Sequence, residues 1–413
     1  MKLLMLGASK AQLPGILKAQ ELGHQVVVCD YLKDAIGHQY SDASYYVSTF
    51  DKEGVLEVAK REGVDGIMTL GTDQPVLTSA YVSEQLHLPT MLTLKNAIDV
   101  TNKIHMKHRF QEYDIPTVDY MLYKKGYNDR ELIEFGGPVV IKPVDSQGQR
   151  GIYYLDDPVK AIELYEEVVA FSREQVILVE RYYLHTEITV SGWVVDGETT
   201  VLAITDRVTF DDKDHIGICL SHEFPSRHAN RYGKSIVEMT KKIVDSFELL
   251  NGPIYFQFLV GDEGIKVNEI ACRIGGAYEA TFIPLLTGFD ILNVQIQKEL
   301  GLDADLTKLK QVQVLNNPKY LSVQLFFIEP CTIALMPSEQ EILQLEGVYD
   351  CGFNVHRGDQ TRLIENATAR GGYVILTAGS EEEMNKYLNK LYEVLVVEDY
   401  GGKNHIIHTG YSK

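Results

Sequence analysis

Residues 267–279 read VNEIACRIGGAYE. Val267, Ile270 and Cys272 suit a packed strand, yet Asn268, Glu269 and Arg273 interrupt it and Gly275-Gly276 ends it. A carboxylate and a guanidinium on an apolar strand each need a partner, because burying either one alone costs several kcal/mol. Alternation puts Glu269, Ala271 and Arg273 on one face, with Arg273 ~13 Å along from Glu269 at ~3.3 Å per residue, too far to pair. A magnesium ion on Glu269 and a phosphate or carboxylate on Arg273 would satisfy both charges. The preceding strand, YFQFLV (255–260), is joined to this one through the four-residue loop GDEG. A symmetric register sets Gln257 opposite Asn268; one bulged residue would set it opposite Glu269 instead.

Two further stretches carry similar charges. In PVVIKPVDSQGQRG, three β-branched residues deliver Lys142 to a strand end. A loop follows with Ser146, Gln147, Gly148, Arg150 and Gly151. Small residues let backbone N–H groups close on an anion and the lysine supplies charge, so the loop suits a phosphate, although a plain hairpin turn would share the pattern. In VILVERYYLHTEITV (176–190), Glu180 ends an apolar strand and Glu187 sits on the next. An adenine needs an acceptor, a backbone donor and flat apolar walls, and a ribose needs a carboxylate. Glu180, the Arg181-Tyr182-Tyr183 main chain and Glu187 could supply them; two surface ion-pair partners would read the same.

The elements around these residues follow from period and punctuation. Residues 2–100 alternate strand and helix: strands at 2–6, 25–29 and 66–70, helices after Gly7, at 55–62 and at 74–86. This alternation implies a parallel, doubly wound sheet. GASKAQ after the first strand lacks GxGxxG, so a nicotinamide site there is a poor match even with Asp30 ending the second strand. Helices are expected at 101–113, 157–171, 237–250, 284–300 and 382–394, with strands at 186–205, 254–271 and 373–376. The segment 204–232, with Arg207, His215, His222, Arg227 and His228, is the candidate for substrate choice.

The chain has 413 residues, 45% of them hydrophobic, which is enough for two to four domains. A net charge of −19 argues against nucleic acid and anionic membranes as partners. The five cysteines are odd in number, widely spaced and without a CxxC pair, which points to reduced thiols rather than disulfides or a zinc site. No apolar run approaches the roughly 20 residues of a membrane span, and MKLLMLGASK reads as a first strand rather than a secretory signal. A cytoplasmic location is expected.

Taken in order, Lys103 in TNKIHMK, Lys142 with its glycine loop, the Glu180–Glu187 segment and NEIACR resemble the ATP-grasp superfamily of ATP-dependent carboxylate–amine ligases, L-amino-acid ligases and purine-pathway members among them. The resemblance implies an N-terminal Rossmann-like α/β domain (1–95), an ATP-grasp domain (96–301) with a lid at about 115–182, and a mixed C-terminal capping domain (302–413). It implies ATP and Mg²⁺, with Mn²⁺ as the alternative ion, small carboxylate and amine substrates, and a homodimer. Lys103, with Lys107 competing, and Lys142 would hold ATP phosphates under the Ser146–Gly151 loop. Glu180 and residues 181–183 would hold adenine, and Glu187 ribose. Glu269, Gln257 and Asn268 would hold the metal, and Arg273 would steady the transferring phosphate.

The sequence departs from the family pattern. Gln257 stands where many members carry a magnesium glutamate, and Ala271 replaces the asparagine of EMNxR. NEIACR looks like the NExAPR run of the aminoimidazole-ribonucleotide carboxylase branch, but IGGAYE stands in place of HNSGH. An acyl-phosphate ligase is the reading these residues favour. A bicarbonate-activating carboxylase, a non-catalytic nucleotide-binding regulator and a nicotinamide oxidoreductase are the rivals.

Overall fold

The computed structural model describes residues 1–146, 148–211 and 215–407. The first hundred residues form the expected parallel layer. Strands β1 (Lys2–Leu6), β2 (Gln25–Cys29), β3 (Ala43–Tyr45) and β4 (Gly66–Met68) lie in the order β3-β2-β1-β4. All three pairings are parallel, as crossovers through helices require. Asp30 at the end of β2 is a turn residue: its carboxylate accepts from the N–H groups of Ala8 and Leu32.

A second sheet holds β5 (Tyr120–Tyr123), β6 (Val139–Pro143), β7 (Tyr153–Leu155) and β8 (Ile177–Arg181), ordered β5-β8-β6-β7 and wholly antiparallel. The helix Lys160–Val169 covers it, burying Ala161, Tyr165 and Val168. It is shorter at both ends than the expected 157–171.

The third sheet has eight strands in the order β13-β12-β9-β10-β11-β14-β16-β15. Its members are β9 (Thr186–Val195), β10 (Glu198–Thr209), β11 (Cys219–Phe224), β12 (Gly252–Gly261), β13 (Gly264–Ala271), β14 (Tyr320–Phe326), β15 (Val348–Phe353) and β16 (Gly372–Ala378). The boundary proposed at 301/302 therefore crosses a continuous ladder, since β11 pairs with β14. The largest apolar cluster likewise joins Leu3 and Met5 to Trp193, Phe282 and Ile296, and to Leu321 and Ile375.

Several local expectations are corrected. The helix expected at 101–113 is Lys103–Glu112, and a separate helix, Leu94–Thr101, precedes it. Asn102 parts the two by turning extended and accepting from the N–H of Ile104, as an N-cap does. The loop expected as GDEG is only Asp262-Glu263, because Gly261 and Gly264 still pair. The helix expected at 237–250 runs from Ala229 to Ser246. The segment 284–300 is two helices, Glu279–Thr287 and Ile291–Glu299, parted at Gly288 in a left-handed conformation (φ 72°).

The Ile291–Glu299 helix docks on the edge of the parallel sheet. A Cβ on Gly66 would stand 2.1 Å from the Glu299 carbonyl oxygen, so only glycine permits this approach. The Glu299 carboxyl is buried there, and burial pushes it up to about 8. Its folded pKa lies above its ordinary value of 4.5. The stability that goes with the neutral acid is thus complete below that ordinary value and is lost as pH rises towards 8, at about 1.4 kcal/mol per pH unit. Glu299→Gln should remove this slope. Urea midpoints of the two proteins should diverge in favour of the variant by more than about 2 kcal/mol between pH 5 and pH 8; parallel curves would show the carboxyl already ionised.

Candidate functional site

The three sheets enclose one large cavity of roughly 900 Å³. Lys103, Lys142, Ser146, Gly148, Glu180, Arg181, Tyr182, Tyr183, Glu187, Gln257, Asn268, Glu269 and Arg273 all line it. Of the other expected residues, Gly151 does not. Gln147 lies outside the described residues. Gly151 is absent from the wall, and a Cβ on it would strike the ring of Phe171, which lines it, at 2.8 Å.

Glu180 is the hub of the cationic end. It is buried, with Lys107 Nζ 2.6 Å from Oε1 and Lys142 Nζ 2.5 Å from Oε2. Burial alone would raise its pKa, but the two ammonium groups outweigh burial and hold the carboxyl at about 2. Each oxygen of this carboxylate, expected beside adenine, thus faces an ammonium group, and the residue lines the cavity. Of the three main-chain N–H groups at 181–183, that of Arg181 donates to Asp119 O and that of Tyr182 to Pro138 O. The N–H of Tyr183 has no such bond among the described residues. Beside it Val118, Tyr183 and Leu259 form a small apolar cluster on the cavity wall.

The two candidate lysines, Lys103 and Lys107, differ in position. Lys107 is 1% exposed and is absent from the cavity wall; it also donates to Thr117 Oγ1 at 2.6 Å. Lys103, set at the start of its helix by the Asn102 cap, faces the cavity with Nζ 2.8 Å from Ser146 O and 3.5 Å from Glu269 Oε1.

Across the cavity the β12–β13 ladder carries the bulge. Gln257 pairs with Glu269, and the register shifts between Gln257 and Phe258. Asn268 Oδ1 accepts from Lys142 Nζ at 3.2 Å. Burial would raise the Glu269 pKa, but Lys103, Lys142 and Arg273 keep it below its ordinary value. Arg273, as its distance along the strand required, has a separate partner: Asp73 Oδ1 lies 2.6 Å from its Nη2, and the guanidinium sits 4.6 Å from the Tyr255 ring centre. The described residues contain no cluster of three or more His, Cys, Asp or Glu side chains able to hold a metal alone. Glu269, Gln257 and Asn268 nevertheless form an all-oxygen donor set. It fits a hard cation such as Mg²⁺ only where phosphate and water complete the shell.

Glu187 pairs with Arg207, Nη1 to Oε2 at 2.5 Å, and this outweighs burial to hold its carboxyl at about 2. Of the residues singled out in 204–232, Arg207 and His222 line the cavity, whereas His215, Arg227 and His228 do not. Arg227 is held by Asp206 and His228 by Thr186. Asp73, Tyr255 and Arg370 also line the space, and no expectation named them. A signal existed for Asp73, an acid just after β4 on the carboxyl edge of a parallel sheet, where such folds bind ligands. Arg370 precedes β16 in a stretch with no pattern to mark it.

Residues 135–281 match the profile of a family described as the ATP-grasp domain. The chain is 20% identical over 395 residues to the carbamoyl phosphate synthase large chain of Clostridium acetobutylicum, covering 92% of this chain and 36% of that one, so it spans about a third of that relative. The L-amino acid ligase of Bacillus licheniformis superposes with a TM-score of 0.82 at 17% identity, over 96% of this chain and 98% of the other. The biotin carboxylase domain of the Hydrogenobacter thermophilus 2-oxoglutarate carboxylase, solved as a dimer with MgADP, ADP and bicarbonate, superposes at 0.74 and 17%, over 96% and 90%. The chain thus carries an ATP-grasp domain within the ATP-grasp fold, as the resemblance implied. No helix among the described residues is long and apolar enough to cross a membrane.

The two lysines should separate in stability measurements. Lys107→Met strips the buried Glu180 of one of its two cations and should cost about 3–5 kcal/mol in urea unfolding. Lys103→Met removes a weaker, cavity-facing pair and should cost less than half of that. Equal losses would mean that both lysines are structural.

Proposed function

We propose that this protein is an ATP-dependent ligase that activates a small carboxylate as an acyl phosphate and joins it to an amine, with ADP and phosphate as products. The convergence of Lys103, Lys142 and Arg273 on one cavity, facing Glu269 and Gln257, carries this reading. The Val118, Tyr183 and Leu259 wall and the free Tyr183 N–H offer a place for a purine, and Glu187 beyond them offers a ribose acceptor. Lys142 and Lys103, with the loop at Ser146 and Gly148, would grip the phosphates. Mg²⁺ on Glu269, Gln257 and Asn268 would neutralise phosphate charge.

The chemistry runs in two steps. A substrate carboxylate oxygen attacks the γ-phosphorus, and the bond to the bridging oxygen breaks, releasing ADP. The amine nitrogen then attacks the acyl carbon, the C–O bond to phosphate breaks, phosphate leaves with the electron pair, and the nitrogen gives up a proton. Phosphoryl transfer of this kind asks the protein for position and charge rather than for a side-chain nucleophile. Cys272 fits that absence: burial pushes its thiol up to about 12, so it is protonated at neutral pH.

One observation favours a second reading. With Gln257 in place of a carboxylate, Glu269 is the sole carboxylate of the proposed metal set, as a nucleotide-binding protein without turnover would tolerate. Both readings meet in one assay. Mg-ATP is offered with a panel of amino acids and other carboxylates, bicarbonate included, and hydroxylamine as the trapping amine. We expect ADP and a hydroxamate from at least one organic acid, with Lys142→Ala lowering kcat/KM for ATP at least about 100-fold. ADP formed with bicarbonate alone would move the protein to the carboxylase type. Nucleotide binding with no ADP from any acid, unchanged by Gln257→Glu, would favour the non-catalytic reading.

A further inference from the structure

Three segments remote in sequence meet beside the large cavity: Asp73-Gln74 after β4, Thr101-Asn102 at the join of two helices, and Arg173-Glu174 ahead of β8. Three side-chain hydrogen bonds close them into a ring. Arg173 Nη2 donates to Gln74 Oε1 at 2.6 Å, Gln74 Nε2 donates to Thr101 O at 2.8 Å, and Asn102 Nδ2 donates to Glu174 Oε1 at 2.6 Å. Each segment comes from a different part of the fold. Gln74 stands at the N-terminus of the helix Pro75–Leu86 in the parallel layer, and Asn102 caps Lys103–Glu112. Arg173 belongs with the second sheet, where Asp145, just past β6, accepts from its Nε at 2.8 Å.

The two central side chains are chosen for two-ended bonding. Gln74 is buried and uses both ends of its amide, the oxygen toward Arg173 and the nitrogen toward Thr101. A glutamate there would lose the donor, and an aliphatic residue would lose both ends. Arg173 uses two edges of its fork, Nε on Asp145 within the second sheet and Nη2 on Gln74 across the seam. Its guanidinium also lies 5.2 Å from the ring centre of Phe50, which follows β3 in the parallel layer. The Arg173 side chain is 54% exposed, so its pair with Asp145 adds little stability. What the bridge fixes is the position of one sheet on another.

That position bears on phosphate. Asp73, next to Gln74, holds Arg273 at 2.6 Å. Lys103, next to Asn102, meets the second sheet twice: its main-chain N–H donates to Val144 O and its Nζ to Ser146 O, both at 2.8 Å. Asp145, the partner of Arg173, lies between those two acceptors in the chain. A shift of the second sheet at Arg173 therefore moves Val144 and Ser146 against Lys103 and pulls on Gln74 beside Asp73. A reacting group misplaced by about 1 Å can lose on the order of 100-fold in rate.

We propose that Arg173 is a positioning residue for phosphoryl transfer. Through Gln74 it holds the second sheet on the parallel layer, and so holds Lys103 and Arg273 at the separation that the transferring phosphate needs. The inference rests on the ligase reading above. It gives Arg173 no contact with a substrate; Arg173 acts through Gln74, and the Asn102–Glu174 bond closes the ring around Lys103.

The test is a double-mutant cycle read separately in kcat and KM, with the acid that gives ADP held at saturation. Arg173→Ala should lower kcat about 10- to 100-fold and leave KM for ATP within about threefold. Gln74→Ala should lower kcat by a similar factor. The double variant should fall no further than the lower single variant, because both remove one bridge. Arg173→Lys, which still reaches one partner, should recover part of the loss. Where Gln74→Ala does not fold, the kcat loss in Arg173→Ala and its recovery by lysine decide. An unchanged kcat in Arg173→Ala, a loss in KM alone, additive losses in the double variant, or a loss explained by a lowered urea midpoint overturns the proposal. If the wild type yields no ADP with any acid, the ligase reading falls first, and hydrogen exchange decides the joint. In Arg173→Ala, protection should be lost at 102–106, where the Lys103 N–H meets Val144 O, and kept in β2. Equal protection at 102–106 in the two proteins overturns it.

Discussion

Glu180 holds the site together. It is a buried carboxylate between two buried ammonium groups, Lys107 on one oxygen and Lys142 on the other. None of the three charges would survive burial alone. Together they fix β6 and β8 against the helix Lys103–Glu112, and so fix the second sheet at the distance from that helix that opens the cavity. Lys107 takes the structural half of the arrangement. That leaves Lys142, one residue from the end of β6, free to turn its remaining hydrogen-bonding capacity toward Asn268 and the cavity.

The same logic repeats around the wall and settles an electrostatic problem. A chain with a net charge of −19 repels polyanions at long range. A phosphate site in such a chain must be local, and each cation in it must be held in place without being cancelled. Pairing Lys103 with Glu269 and Arg273 with Asp73 does this, because each pair fixes its cation on the cavity wall, with the acid on the same wall. An arriving anion meets guanidinium and ammonium groups that are already oriented, so little reorganisation remains for binding.

What was legible in the sequence follows from how each residue earns its place. The parallel layer was legible because period and glycine punctuation are local signals, and the strands at 2–6 and 25–29 fall where those signals put them. The lysines, Glu180 and NEIACR were legible because charges on apolar strands are costly and therefore conspicuous. Partners were not legible. Asp73 and Arg273 are 200 residues apart, and nothing in either neighbourhood names the other. The helix expected from Thr101 starts two residues later, at Lys103, because an asparagine at the head of a helical pattern reads as a weak helix residue until its side chain is seen capping the next turn. The one eight-stranded sheet was missed for the same reason as the ion pairs: the β11–β14 ladder is a long-range pairing that no local pattern announces.

The bulge in β12–β13 shows how backbone register decides chemistry. In the symmetric register Gln257 would face Asn268 and Glu269 would stand one place further along the ladder. The shift at Gln257/Phe258 instead brings Gln257 directly opposite Glu269. The bulge thus does by geometry what a second carboxylate would do by charge: it places a second oxygen donor beside the first. An amide oxygen binds a hard cation more weakly than a carboxylate does, but it leaves the pair one negative charge lighter. Lys103 and Lys142 already crowd Glu269 with positive charge. A lighter pair beside those lysines leaves more of their field for the phosphates of a nucleotide, which would then be the main ligands of any metal there. In a ligase that held Mg²⁺ here, Gln257 would thus shift the metal's hold from the protein to the nucleotide.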